Sequence, residues 1–211
     1  MDPQALDLGT VYFFQTHRLP WLTSLMVSLT HRGDQLTLWT DVLLLAAAFL
    51  VWRRPRAALL LVVVALASWW TNEAVKAIVK RPRPAEAVRP PVPVPPSYSF
   101  PSGHAQNTMT IYFAAALLAV RGLDRRRRLG LLALALLMAL AVGTSRLYLG
   151  VHYLTDVVGG WLAGLGFALL ARWADDLWAR DAKVTPAETQ TPSEPSPPLP
   201  ATGAFHVPGS S

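Results

Sequence analysis

The chain has 211 residues, 52% of them hydrophobic and only 15% charged, with a formal net charge of +6 and no cysteine. That length fits one domain, and the missing thiols exclude disulfides and thiolate metal sites or nucleophiles. The basic residues lie in short clusters between apolar runs rather than along an exposed face, which argues against nucleic-acid binding, and the uncharged stretches approach the ~20 residues that cross a bilayer.

Residues 1–19 form an N-terminal segment. Its opening, MDPQALDLGTVYFF, lacks the basic start and small-residue cleavage site of a secretory signal, so insertion is expected to rely on the spans themselves. Residues 11–33 are apolar but interrupted by His17, Arg18, Pro20, His31 and Arg32. A charge at mid-bilayer costs about 2.5–3.5 kcal/mol on insertion scales. Pro20 to Thr30 is therefore predicted as an amphipathic helix lying at the interface, opened by Pro20 and Trp21. A sixth, poorly hydrophobic span is the alternative reading.

Five spans follow, at about 36–52, 57–75, 104–120, 129–147 and 156–173, each long enough for a tilted crossing. The expected fold class is all-α: an integral membrane helical bundle of five transmembrane helices, or six on the alternative reading, over residues 20–175. Fifteen of the 18 prolines fall in residues 82–101 and 186–208. The first stretch cannot be helical and is predicted as a stiff, extended loop bordering a site. The second belongs to a tail over residues 182–211, predicted disordered, to which no chemistry is assigned. No internal repeat supports an inverted-repeat transporter.

Arg53, Arg54 and Arg56, then Arg121 and Arg125 to Arg128, then Arg172, Arg180 and Lys183 mark alternate span ends, which the positive-inside bias places in the cytoplasm. The opposite face nevertheless carries Lys76, Lys80, Arg81, Arg83, Arg89 and Arg146. Cations kept there against the insertion bias are better explained by an anionic ligand than by topology.

Three polar clusters fall on that face. In KAIVKRPRP, Lys76 and Arg83 are two helical turns apart and share a face if the helix continues that far, although Pro82 and Pro84 predict fraying. Lysine supplies a point charge and arginine a planar fork for phosphate oxygens; taken alone, the cluster also reads as a basic anchor for lipid headgroups. In PSGH, Ser102 is a predicted N-cap and Gly103 an early helical residue. Exposed N–H groups, a hydroxyl and the proton of His104 would then meet an anion, although four residues alone also describe an ordinary capped helix. In SRLYLGVHYLTD, His152 and Asp156 are four apart at the start of the last span, so the carboxylate can fix one imidazole nitrogen and leave the other to attack. A merely stabilising pair is the plainer reading of that spacing. The conjunction of the clusters on one face favours phosphate chemistry.

The clusters resemble the three-part signature of the type 2 phosphatidic acid phosphatase family, membrane relatives of vanadium haloperoxidases. That signature reads Lys-x6-Arg-Pro, Pro-Ser-Gly-His and Ser-Arg-x5-His-x3-Asp, and this chain matches it at Lys76–Pro84, Pro101–His104 and Ser145–Asp156 without a change of spacing. The resemblance implies that His152 is the nucleophile of a phosphohistidine, that Asp156 holds its imidazole, and that His104 protonates the leaving group and then activates water. It implies that Lys76, Arg83, Ser102, Gly103 and Arg146 hold the phosphoryl oxygens, with no metal or other cofactor. Two arginines and a lysine can neutralise the equatorial oxygens in place of Mg²⁺, and the paired histidines predict a bell-shaped pH profile.

The expected partner is a lipid phosphate at the non-cytoplasmic surface of the cell (inner) membrane. Undecaprenyl diphosphate is placed slightly ahead of phosphatidylglycerol phosphate and phosphatidic acid; oligomeric state is not set by the sequence. The competing readings are a lipid phosphotransferase using the same residues, a vanadate-dependent haloperoxidase, and a non-catalytic lipid-binding or transport protein.

Overall fold

A computed structural model describes residues 2–85 and 90–184. Every regular element among those residues is helical, and the first two helices are set by prolines at their starts. Helix α1, Pro3–Thr16, is capped by Asp2, whose carboxylate accepts from the Gln4 amide at 3.0 Å. Helix α2, Pro20–Thr30, coincides with the predicted amphipathic segment and ends in a 3-10 turn, His31–Gly33. The N-terminal segment is thus itself a helix, which sequence reasoning did not anticipate. Tyr148 fixes the junction between α1 and α2, its hydroxyl accepting from the Leu19 amide at 3.0 Å.

Helix α3, Gln35–Val51, is followed by α4, Pro55–Val79. Helix α5, Gly103–Thr108, continues through a π-helical turn, Met109–Phe113, into α6, Ala114–Ala119. Helices α7, Arg125–Tyr148, and α8, Leu154–Val184, complete the bundle. Each of the five predicted spans is helical. Three helices, Pro55–Val79, Arg125–Tyr148 and Leu154–Arg180, are individually long and apolar enough to cross a membrane, and α2 with α3 forms a further such unit bent by 57°. Helix α8 runs past residue 175, so residues 182–184 of the predicted tail are helical; residues 185–211 lie outside the described residues.

Large apolar side chains such as Leu36, Leu43, Trp70, Leu137 and Leu162 are exposed, as expected of lipid-facing positions. Small residues let the helices approach. A Cβ on Gly160 would stand 2.7 Å from the Ser102 carbonyl oxygen, and one on Gly164 would overlap the Gln106 carbonyl oxygen, so α8 presses directly on the α5 backbone. Across the α4–α5 interface a buried polar set closes on itself. Asn72 donates to Gln106 Oε1 at 2.9 Å, Gln106 donates to the Ser68 carbonyl at 2.9 Å, and Thr110 donates to Ser68 Oγ at 2.9 Å. Such interhelical bonds satisfy groups that lipid cannot.

The proline-rich connection between α4 and α5 is non-helical where described, as predicted. Its two limbs are pinned together: the Ser99 amide donates to the Arg81 carbonyl at 2.9 Å, and Arg83 Nε donates to the Ser97 carbonyl at 2.8 Å.

Candidate active site

The residues of the three clusters meet at one end of the bundle. Lys76, Arg83, Gly103, His104, Arg146 and His152 all line one cavity of about 220 Å³. Ser102 and Asp156 are fully buried behind it. The same cavity continues along an apolar wall of Leu38, Trp39, Ala65, Trp69 and Ile111 from α3, α4 and the π turn.

Helix α4 carries Lys76 in its last turn, where Nζ pairs with Glu73 Oε1 at 2.9 Å. The helix then stops: Lys80 adopts a left-handed conformation, φ 51°. Arg83 is therefore not on the α4 face that its spacing from Lys76 allowed. It arrives from the extended loop, because Pro82 and Pro84 cannot continue a helix. Its guanidinium spans the loop and the α7–α8 turn, donating from Nη1 to the Val151 carbonyl at 2.8 Å and from Nη2 to Ser97 Oγ at 3.0 Å. Nη1 also lies 2.9 Å from Nε2 of His152. Burial pulls the Arg83 guanidinium below its ordinary pKa, and the charge of Asp156 partly opposes this.

Ser102 takes the N-cap position of α5 as expected, with extended backbone. Its hydroxyl, however, makes no capping bond and is a buried atom without a partner among the described residues. Of PSGH, Gly103 and His104 line the cavity. Gly103 is closely packed: a Cβ would stand 3.0 Å from Asn72 Oδ1 and 3.5 Å from Lys76 Nζ. Arg146 is buried in α7 and donates to Thr30 Oγ1 at 2.6 Å.

His152 is not on the helix that carries Asp156. It precedes α8 in the turn that follows Gly150, whose φ of 73° suits glycine. Asp156 sits in the first turn of α8, accepting from the Tyr153 amide at 2.9 Å, and its Oδ2 lies 3.4 Å from His152 Nδ1. Two further groups fix this carboxylate. Ser99 donates to Oδ2, and Arg81 Nη1 donates to Oδ1 at 2.7 Å. Arg81 in turn is held by Asp7 of α1 at 2.6 Å and lies over the Tyr153 ring at 4.3 Å. Asp7 itself accepts from the Thr155 amide at 2.9 Å.

Sequence reasoning missed Asp7, Asp34, Ser99 and Thr30, and left Arg81 without a role. Asp34 Oδ1 lies 3.2 Å from Nε2 of His104. For Asp34 a signal existed: the alternation of span ends puts residue 34 on the same face as the three clusters.

A family model described as the PAP2 superfamily matches residues 56–179. The chain is similar to phosphatidylglycerophosphatase B of Bacillus subtilis (strain 168), with 33% identity over 161 residues covering 75% of this chain and 78% of that protein. It is similar to an undecaprenyl-diphosphatase of Sulfolobus acidocaldarius, with 30% identity over 159 residues covering 74% and 71%. Among solved structures it is similar to a transmembrane PAP2-type phosphatidylglycerolphosphate phosphatase from Bacillus subtilis, with TM-score 0.77 and 31% identity over 82% of this chain and 86% of that one. Aquifex aeolicus LpxE, at 23% identity and TM-score 0.62 over 79% and 94%, shares the fold.

Proposed function

The chain belongs to the PAP2 superfamily and is a membrane lipid phosphatase, and from that premise we propose that it removes phosphate from a lipid phosphomonoester or diphosphate through a phosphohistidine on His152. The carrying observation is that three cations and two imidazoles from separate segments line one cavity with an apolar wall. The head of an amphiphile fits the cationic end, and its tail fits the wall formed by Leu38, Trp39, Trp69 and Ile111.

In this mechanism Nε2 of His152 attacks phosphorus while the bond to the leaving oxygen breaks. His104 delivers a proton to that oxygen. Lys76, Arg83 and Arg146 neutralise the equatorial oxygens, with the Gly103 amide at the helix start beside them. Asp156 holds Nδ1–H, so the attacking lone pair stays on Nε2. His104, now neutral, takes a proton from water; the resulting hydroxide attacks phosphorus, the N–P bond breaks, and inorganic phosphate leaves.

The proposed orientation puts this site on the non-cytoplasmic face of the cell membrane, in a five-span bundle. It is supported by a separate cavity that gathers Arg53, Arg54, Arg56 and Arg121, the residues the positive-inside bias assigns to the cytoplasm.

The test is release of inorganic phosphate by the purified full-length protein in detergent, with chelator, from phosphatidylglycerol phosphate, undecaprenyl diphosphate and phosphatidic acid. His152→Ala is expected to abolish both phosphate release and labelled phosphoenzyme while lipid binding persists. Survival of both activities in that variant sinks the assignment.

A further inference from the structure

The turn joining α2 to α3 belongs to none of the three signature clusters, yet three of its residues touch the site. Thr30, itself buried, accepts from Arg146. Gly33 lies so close to His104 that a Cβ would stand 2.6 Å from Cδ2 and 3.0 Å from Cγ of the ring. Asp34 offers one carboxylate oxygen to each of two imidazoles: Oδ1 lies 3.2 Å from His104 Nε2, and Oδ2 lies 2.7 Å from Nδ1 of the exposed His31. An aspartate at an N-cap ordinarily accepts from an amide of its own helix. Asp34 occupies the N-cap of α3 and makes no such bond.

On the phosphatase reading above, we propose that Asp34 is a positioning residue for His104, forming a second carboxylate–imidazole pair that orients the leaving-group acid as Asp156 orients the nucleophile. With Nε2–H held by Asp34, Nδ1 is the nitrogen that gives its proton to the leaving oxygen and later takes one from water. The charged groups facing His104 are Asp34, Lys76 and Arg146. Neighbouring cations disfavour an imidazolium and a carboxylate favours it. Asp34 is the one anion among the three.

A positioning role predicts dependence on the leaving group, which a purely structural role does not. An alkoxide needs a proton as it departs; p-nitrophenolate does not. The experiment measures kcat/KM, which reports formation of the phosphoenzyme, for phosphatidic acid and p-nitrophenyl phosphate with wild type, Asp34→Asn, His104→Asn and the double variant. Asp34→Asn is expected to lower the value for phosphatidic acid by about 10-fold or more, part of the roughly 10²–10⁴ that a general acid contributes. It is expected to change p-nitrophenyl phosphate by less than about 3-fold, and to have no further effect once His104 is Asn.

Equal losses on both substrates, unchanged turnover of phosphatidic acid, or additive losses in the double variant would overturn the proposal. No phosphate from any lipid of the panel above or from p-nitrophenyl phosphate with wild type would overturn the phosphatase reading itself, so the two failures are distinct. Asparagine preserves N-cap preference. If that variant does not fold, Asp34→Ser, another good N-cap, is measured against the same criteria.

Discussion

Arg83 Nη1 stands 2.9 Å from Nε2 of His152. A guanidinium has only donors to offer, so Nε2 is the acceptor and the imidazole proton resides on Nδ1, towards Asp156. The tautomer of His152 is therefore set from both sides of the ring. In the proposed mechanism the same contact occupies the lone pair that must reach phosphorus, and a phosphate oxygen that captures the guanidinium would release it.

Replacing Arg83 should consequently damage two functions, phosphate binding and nucleophile alignment. Arg83→Ala is expected to lower kcat/KM by about 10²–10³-fold, the usual loss for one oxyanion donor. Arg83→Lys retains charge without the fork that spans Ser97, Val151 and His152, and should fall in between. Initial rates of phosphate release decide this.

His152 lies in the turn between α7 and α8, and burial pushes its imidazole down to about 3, with Asp156 pulling the other way. His152 is then neutral throughout the neutral and mildly acid range, and its own protonation should not produce the acid limb of the rate profile above about pH 4. The linked effect on stability has a definite sign. The unfolded chain, with an ordinary histidine near 6.5, binds a proton that the folded chain refuses. This group's contribution is complete above about pH 6.5 and is lost as pH falls from there towards 3. The melting temperature in detergent should therefore drop on acidification more steeply for wild type than for His152→Gln, which does not titrate.

Ser99 touches the His152–Asp156 pair without lining the cavity. It donates to Asp156 Oδ2, and its Oγ lies 3.3 Å from His152 Nδ1. Hydrogen bonds to buried charges are worth about 1.5–3 kcal/mol. Ser99→Ala is expected to reduce kcat by about tenfold or more with KM little changed; steady-state kinetics on the best lipid of the panel separates the two parameters.

Helix α8 offers an internally controlled packing test. A Cβ at Gly160 or Gly164 meets backbone carbonyls of the Ser102–Gln106 segment, whereas at Gly166 it meets nothing within 4 Å. Overpacking costs about 1–3 kcal/mol, so Gly164→Ala should lower the melting temperature and the activity together. Gly166→Ala should leave activity intact and hold or raise the melting temperature, since alanine is the better helix former.

The helices of the five predicted spans could be read from the sequence because each is a long, largely apolar run. The candidate site could be read because the eight residues proposed for it lie in three short clusters of fixed spacing. What stayed hidden is what local pattern does not encode. The route of Arg83 depends on where α4 breaks, and Lys80 makes that break by turning left-handed rather than by any residue with a strong preference to do so. Asp7 and Ser99 act only through contacts with groups far along the chain: Asp7 reaches Thr155, and Ser99 reaches Asp156. The helix at residues 3–16 carries the buried Asp7 but no run long enough to announce a span.

Pinning of the α4–α5 connection at Arg81–Ser99 and Arg83–Ser97 separates its working ends from what lies between them. The chain contains no thiol, so a cysteine introduced at the exposed Val94 is a unique chemical handle. Labelling it in intact cells with a membrane-impermeant maleimide turns this loop into a reporter of sidedness on a protein that still turns over.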